Sequence, residues 1–292
     1  MQKLVRFDWA IKYLLRNKAN FDILEGFLSE LLKKDIYVLS ILESESNKND
    51  EKDKFNRVDL IAETKEKERI IIEVQCTSEW DYLSRVLYGA SKVITEHLKE
   101  GQGYKNICKV ISVSIVFFNI GQGEDYIYEG LTVFKGRNKQ DILKLNEHEQ
   151  KMYESNFQYP ADIYPEFHII KVNQFNERIR NKLDEWVYFL KNEKIKPTFQ
   201  AKGIHSAAKK LDVLHLSEEQ RKIYERYQDD LHYQASMIDS HYGMGKQDGY
   251  EQAVRQFVLS LKKSNVSIAD IAKYTGLSQG QITTLKLEEE CL

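Results

Sequence analysis

Two runs of residues between positions 55 and 79 set the pattern of the chain. In the first, Val58, Leu60 and Ala62 alternate with Asp59, Ile61 and Glu63. In the second, Ile70, Ile71, Ile72, Glu73, Val74 and Gln75 follow a polar turn. Alternation with a period of two predicts a strand, and a β-branched apolar run predicts one covered on both faces. The pair reads as a β-hairpin. Asp59 and Glu73 interrupt its apolar runs. With the turn centred on Glu66, Asp59 lies opposite Glu73, with Cβ atoms ~4.5–5.5 Å apart. Gln75 shares the face of Glu73. A slip of one residue would separate the two acids.

The same reading extends in both directions. Residues 7–15 and 21–32 show helical spacing, the second through Phe21, Leu24, Phe27, Leu28, Leu31 and Leu32, with Asn20 or Asp22 as its start. Residues 35–43 predict a strand, and 45–54 a solvated loop. Ser78, with Asp81 three positions on, suggests the cap of a helix carrying Leu83, Val86, Leu87, Ala90, Val93, Ile94 and Leu98. Residues 109–118 form a long apolar strand that ends in a polar turn, and 125–134 read as its return strand. A polar, helix-prone stretch (138–149), a strand (164–172) and an amphipathic helix through Leu183, Trp186, Val187 and Leu190 (179–192) follow. Residues 211–240 predict a long charged helix, which the glycine-containing stretch 241–251 breaks. Residues 257–262 are helical. Residues 267–286 then read as helix, Gly-Leu-Ser turn, helix, the spacing of a helix-turn-helix unit. The organisation this suggests is a main domain over 1–200, a helical extension over 201–250 and a small unit over 251–292.

Composition narrows the chemistry only slightly. The 292 residues are 42% hydrophobic and 30% charged, with a formal net charge of -2, so a nucleic-acid surface has to be a local patch. Cys76, Cys108 and Cys291 have no CxxC spacing, which favours a reduced, cytoplasmic chain over a zinc site or a disulfide framework. No run approaches 18 apolar residues, so no membrane partner is expected. The sharper signal is Asp59 beside Glu73, because two like charges on a buried strand are destabilising unless something offsets them. A divalent cation would, and carboxylate oxygens completed by water or phosphate suit Mg²⁺.

Asp59, a spacer of 13 residues and Glu73-Val74-Gln75 on a strand resemble the D…ExQ form of the PD-(D/E)XK nuclease superfamily. The stretches FDWAIKYLL, ANFDILEGFLSELL, ILESES, DKFNRVDL, IIIEVQ, LYGASKVITEHL, VISVSIVFFNIGQG and LDEWVYFLK, in that order, resemble its recombination-promoting nuclease and transposase (Rpn-like) branch. The resemblance implies an α/β restriction-endonuclease-like core, a mixed central sheet flanked by helices, followed by a helical C-terminal tail. It implies a Mg²⁺-dependent DNA endonuclease tied to recombination and mobile elements, with Mn²⁺ as a possible substitute. Asp59, Glu73 and Gln75 are then the catalytic residues, and Asp59, Glu73 and the Val74 carbonyl hold the metal. Most of the superfamily has lysine where this chain has Gln75, and an amide can orient a water but cannot take its proton.

First-helix acids of the superfamily make Asp8 a supporting residue, with Glu25 as a rival. Read from spacing alone, Asp8 and Lys12 are a helix ion pair. Arg85, Tyr88 and Lys92, at i, i+3 and i+7, suit phosphate contact and, for Tyr88, base stacking; a solvated helix face is the alternative. Gln75 and the missing basic excess keep a second class open, a catalytically silent protein that binds nucleic acid or oligomerises. The C-terminal helices suggest a homodimer, and the terminal unit suits either DNA reading or packing.

Overall fold

A computed structural model describes residues 4–42, 59–98, 103–153 and 157–285. Glu43 and Glu45, the loop that follows them, Val58, Lys286 and the acidic terminus lie outside the described residues. The chain divides into two compact units, Met1–Arg221 and Lys222–Leu292.

The first unit opens with helices α1 (Phe7–Tyr13) and α2 (Phe21–Leu32). Strands β1 (Val38–Leu42), β2 (Leu60–Thr64) and β3 (Arg69–Gln75) follow, then helix α3 (Tyr82–His97) and strand β4 (Val110–Val116). Beyond them come β5 (Ile127–Gly130), α4 (Glu147–Met152), β6 (Glu166–Lys171), α5 (Lys182–Asn192) and α6 (Ile204–Lys210). The six strands form one mixed sheet in the order β1-β2-β3-β4-β6-β5. Strands β3, β4 and β6 run parallel, and the pairs β1/β2, β2/β3 and β5/β6 are antiparallel.

The hairpin has the expected register, with Leu60 opposite Ile72, Ile61 opposite Ile71 and Ala62 opposite Ile70. Ile61 and Ile71 pack against Ala90 and Val93 of α3, together with Cys108 and Val110. Leu60, Ala62, Ile70 and Ile72, whose side chains alternate onto the other face, are equally buried. All seven residues of β4 are buried, as a central parallel strand requires. Helices α1, α2 and α5 interlock through aromatic rings: Phe27 lies 5.6 Å from Phe7 and 5.8 Å from Trp186, edge to face. Gly26 of α2 lets the start of α6 come close, since a Cβ there would stand 2.7 Å from the Gly203 Cα.

Several expectations need correction. The segment 125–134 shortens to β5 and is not the return strand of β4; β6 intervenes and pairs with both. Inserting β6 buries Ile170 beside Ile115, which the apolar edge of β4 demands and a four-residue β5 does not supply. Ser78 does not cap α3. The N-cap position is Asp81, without a side-chain cap bond, because residues 76–81 form a loop whose Thr77 and Glu79 are drawn to Gln75. In the stretch 138–149 only the end is helical, started by the Asn146 capping box, while Ile142 bridges to Lys135. Likewise α5 starts at the Asn181 capping box rather than at Ile179.

The second unit takes in most of α7 (Glu218–Lys263), which runs unbroken through Gly243, Gly245 and Gly249. A glycine inside a helix costs ~1 kcal/mol relative to alanine, well short of what proline does, and α7 contains no proline. Helices α8 (Ile268–Thr275) and α9 (Gln279–Thr284) are capped by Ser267 and Ser278 and separated by Gly276 in the left-handed region. Val258, Ile271 and Ile282 form the core of this unit.

Candidate active site

Asp59 stands at the mouth of β2, where the chain enters the hairpin. Its Oδ2 accepts the Val74 N–H at 2.8 Å, so the carboxylate is held against β3 at the level of Glu73. Lys12 of α1 places its ammonium 3.4 Å from Oδ1, and Arg16 donates to the Asp59 main-chain oxygen at 2.7 Å. Lys12 is thus the partner of Asp59 and not of Asp8.

Glu73 is 7% exposed and faces the first turn of α3. Arg85 donates to its Oε1 in a very close ion pair. The same guanidinium binds Glu79 at 2.8 Å, reaches the Gln75 Oε1 at 3.4 Å and lies over the Tyr82 ring at 5.2 Å. Gln75 in turn donates to Glu79 at 2.8 Å and to the Thr77 hydroxyl at 3.1 Å. Burial pushes the Glu73 carboxyl up to about 7; Arg85 pulls it down, and the charges of Asp59 and Glu79 raise it further. Near neutral pH its charge is therefore costly.

Among the described residues, no group of three or more His, Cys, Asp or Glu is arranged to hold a metal ion. What the site offers is two neighbouring carboxylates, Asp59 just before β2 and Glu73 on β3, the second buried and paired with Arg85. Oxygen donors of this kind fit a hard divalent cation that keeps water or phosphate in its remaining positions.

The other sequence candidates scatter. Asp8 is 4% exposed and adjoins Cys76, the residue after Gln75: it accepts from Arg6 at 3.2 Å and stands 3.5 Å from the Cys76 sulfur. Glu25 accepts the Val38 N–H at 2.8 Å, at the far end of the hairpin from Asp59. Arg85, expected on an outward face with Tyr88 and Lys92, points inward at Glu73. Tyr88 is exposed, and Lys92 lies 3.8 Å from Glu96. Glu79 and Arg16 were not singled out by the sequence, since no local spacing rule links residues 79 to 85 or 16 to 59.

The helix, three-strand, helix, strand order has a counterpart among known families. The model of the PD-(D/E)XK nuclease family transposases matches residues 5–241. The chain belongs to this family. The match takes in the whole sheet and every residue of the site described above, and it stops within α7. No curated protein and no solved structure matches the chain. Among the described residues, no helix is long and apolar enough to cross a membrane.

Proposed function

We propose that the protein is a divalent-metal-dependent endonuclease that hydrolyses phosphodiester bonds in DNA, in a role linked to transposition or recombination. The observation that carries this reading is the carboxylate pair, Asp59 fixed by the Val74 amide directly across from buried Glu73. Asp59, Glu73 and the Val74 carbonyl would hold Mg²⁺ or Mn²⁺. Such a cation supplies an activated water at neutral pH and offsets the charge that gathers on the phosphoryl oxygens. The chain's own part is positional. Asp59 presents its oxygens from just before β2 and Glu73 from β3, and Gln75, held by Thr77 and Glu79, orients a water by hydrogen bonding alone. Asp8 supports the end of β3 through its contact with Cys76. Tyr88 and Lys92 meet the DNA backbone and bases, and the C-terminal helices pair two copies.

Cleavage of supercoiled plasmid with Mg²⁺, and with Mn²⁺, tests this. Asp59→Ala and Glu73→Ala are each expected to lower nicking by ~10²-fold or more, the loss typical for removing a group that stabilises transition-state charge. Nicking that survives both substitutions would place the chemistry elsewhere. A second reading, a silent binding protein, is favoured by one observation: Arg85 already neutralises Glu73, and position 75 is an amide. Metal binding without cleavage by the wild type would support it.

A further inference from the structure

The guanidinium of Arg85 is shared between two carboxylates at different depths. Glu73 keeps 9% of its side chain exposed, and Glu79 keeps 32%. One terminal nitrogen of Arg85 binds the deep acid and the other binds the shallow one. The Nε of Arg85 is buried without an acceptor, so this pose leaves a donor unsatisfied. The side chain starts from the first turn of α3 and lies along the Tyr82 ring, where a pivot about its terminal bonds would exchange Glu73 for solvent while keeping Glu79. The carboxylate it would release is the one that a divalent cation needs. Guanidinium and cation are thus rivals for the same oxygen atoms, and the planar fork of arginine also suits a phosphodiester.

We propose that Arg85 is a phosphate-responsive gate on the metal centre. In the metal-free protein it neutralises Glu73. When a nucleic-acid phosphodiester engages the guanidinium, Arg85 swings away, guided by Glu79, and Glu73 becomes free to bind a divalent cation. The inference rests on the reading of Asp59 and Glu73 as metal ligands. Its consequence is reciprocal coupling: DNA tightens metal binding, and metal tightens DNA binding by the same factor. A residue that only held Glu73 in place would act in the opposite sense, because removing it would weaken metal binding.

The test is equilibrium Mn²⁺ binding to the full chain, read by electron paramagnetic resonance of the free ion. It is run with and without a phosphorothioate DNA duplex, with Asp59→Ala as the blank for Mn²⁺ held by the duplex itself. Arg85→Gln is expected to bind Mn²⁺ about tenfold tighter than the wild type when no duplex is present. The duplex is expected to tighten wild-type binding about tenfold and the variant less than about twofold. Glu79→Gln keeps Arg85 but removes its shallow anchor, so it should weaken Mn²⁺ binding in the wild-type background and have no effect beside Arg85→Gln. Binding by Arg85→Gln that is equal to or weaker than wild type overturns the gate. So does an equal loss from Glu79→Gln in both backgrounds, which would be a plain charge effect. If Asp59→Ala abolishes Mn²⁺ binding while Arg85→Gln leaves it unchanged, the gate alone falls. If no Mn²⁺ binding depends on Asp59, the proposed metal centre falls and the gate falls with it.

Discussion

Gln75 is surrounded by acceptors. Its amide nitrogen is 2.8 Å from a Glu79 oxygen and 3.1 Å from the Thr77 hydroxyl, an arrangement that would serve an ammonium as well. Gln75→Lys should therefore fold normally and restore a titratable group beside Glu73, raising plasmid cleavage by ~10-fold or more, within the range general bases provide. Unchanged or lower cleavage would mean that the water is already positioned without a base. Away from the site, Glu166 shows the same interplay of charge and burial. The hydrogen bond from His168, at 2.7 Å, holds its carboxyl below the usual range against the effect of burial, with Lys109 at 3.6 Å and the charge of Lys34 assisting. A depressed carboxyl contributes stability above its ordinary range and loses it as pH falls through its folded value. Glu166→Gln should thus lower the urea midpoint at pH 7, and the gap from wild type should narrow as pH falls below the ordinary glutamate range. A gap that persists in acid would assign the loss to packing.

Among the elements, what the sequence made legible follows from locality. The register of β2 and β3 could be read because a short turn and period-two alternation fix each other, and it brought Asp59 beside Glu73. The span of α2 could be read from one apolar stripe. The partner of β5 could not, because β6 lies about 40 residues further along and only the apolar edge of β4 hints that a strand is missing. Arg85 was legible as a basic residue on α3 but not as the partner of Glu73, since that depends on how α3 lies on the sheet. Glycine had two meanings that only packing separates. Gly26→Ala should destabilise the first unit by about 2 kcal/mol or more, because its Cβ would run into the Lys202 carbonyl and the Gly203 backbone. Gly243→Ala meets nothing within 4 Å and should stabilise α7 by ~1 kcal/mol. Chemical denaturation followed by circular dichroism distinguishes the two signs.

At the scale of the whole molecule, each unit has its own core. Ile271 is fully buried with Val258 and Ile282. Ile271→Asp places an unpaired charge there and should abolish the melting transition of the second unit. A matching fall in both transitions would show that the units melt as one. The strand order bears on how the chain is made. Strands β2 and β3 are neighbours in sequence and can pair as they leave the ribosome, whereas β5 is synthesised before β6, its partner. At 5–20 residues per second the gap of about 40 residues is a wait of ~2–8 s, during which the main-chain groups of β5 have no sheet to join. A nascent chain halted between β5 and β6 would expose that segment, along with the open edge of β4, to pairing with neighbouring chains on the same message.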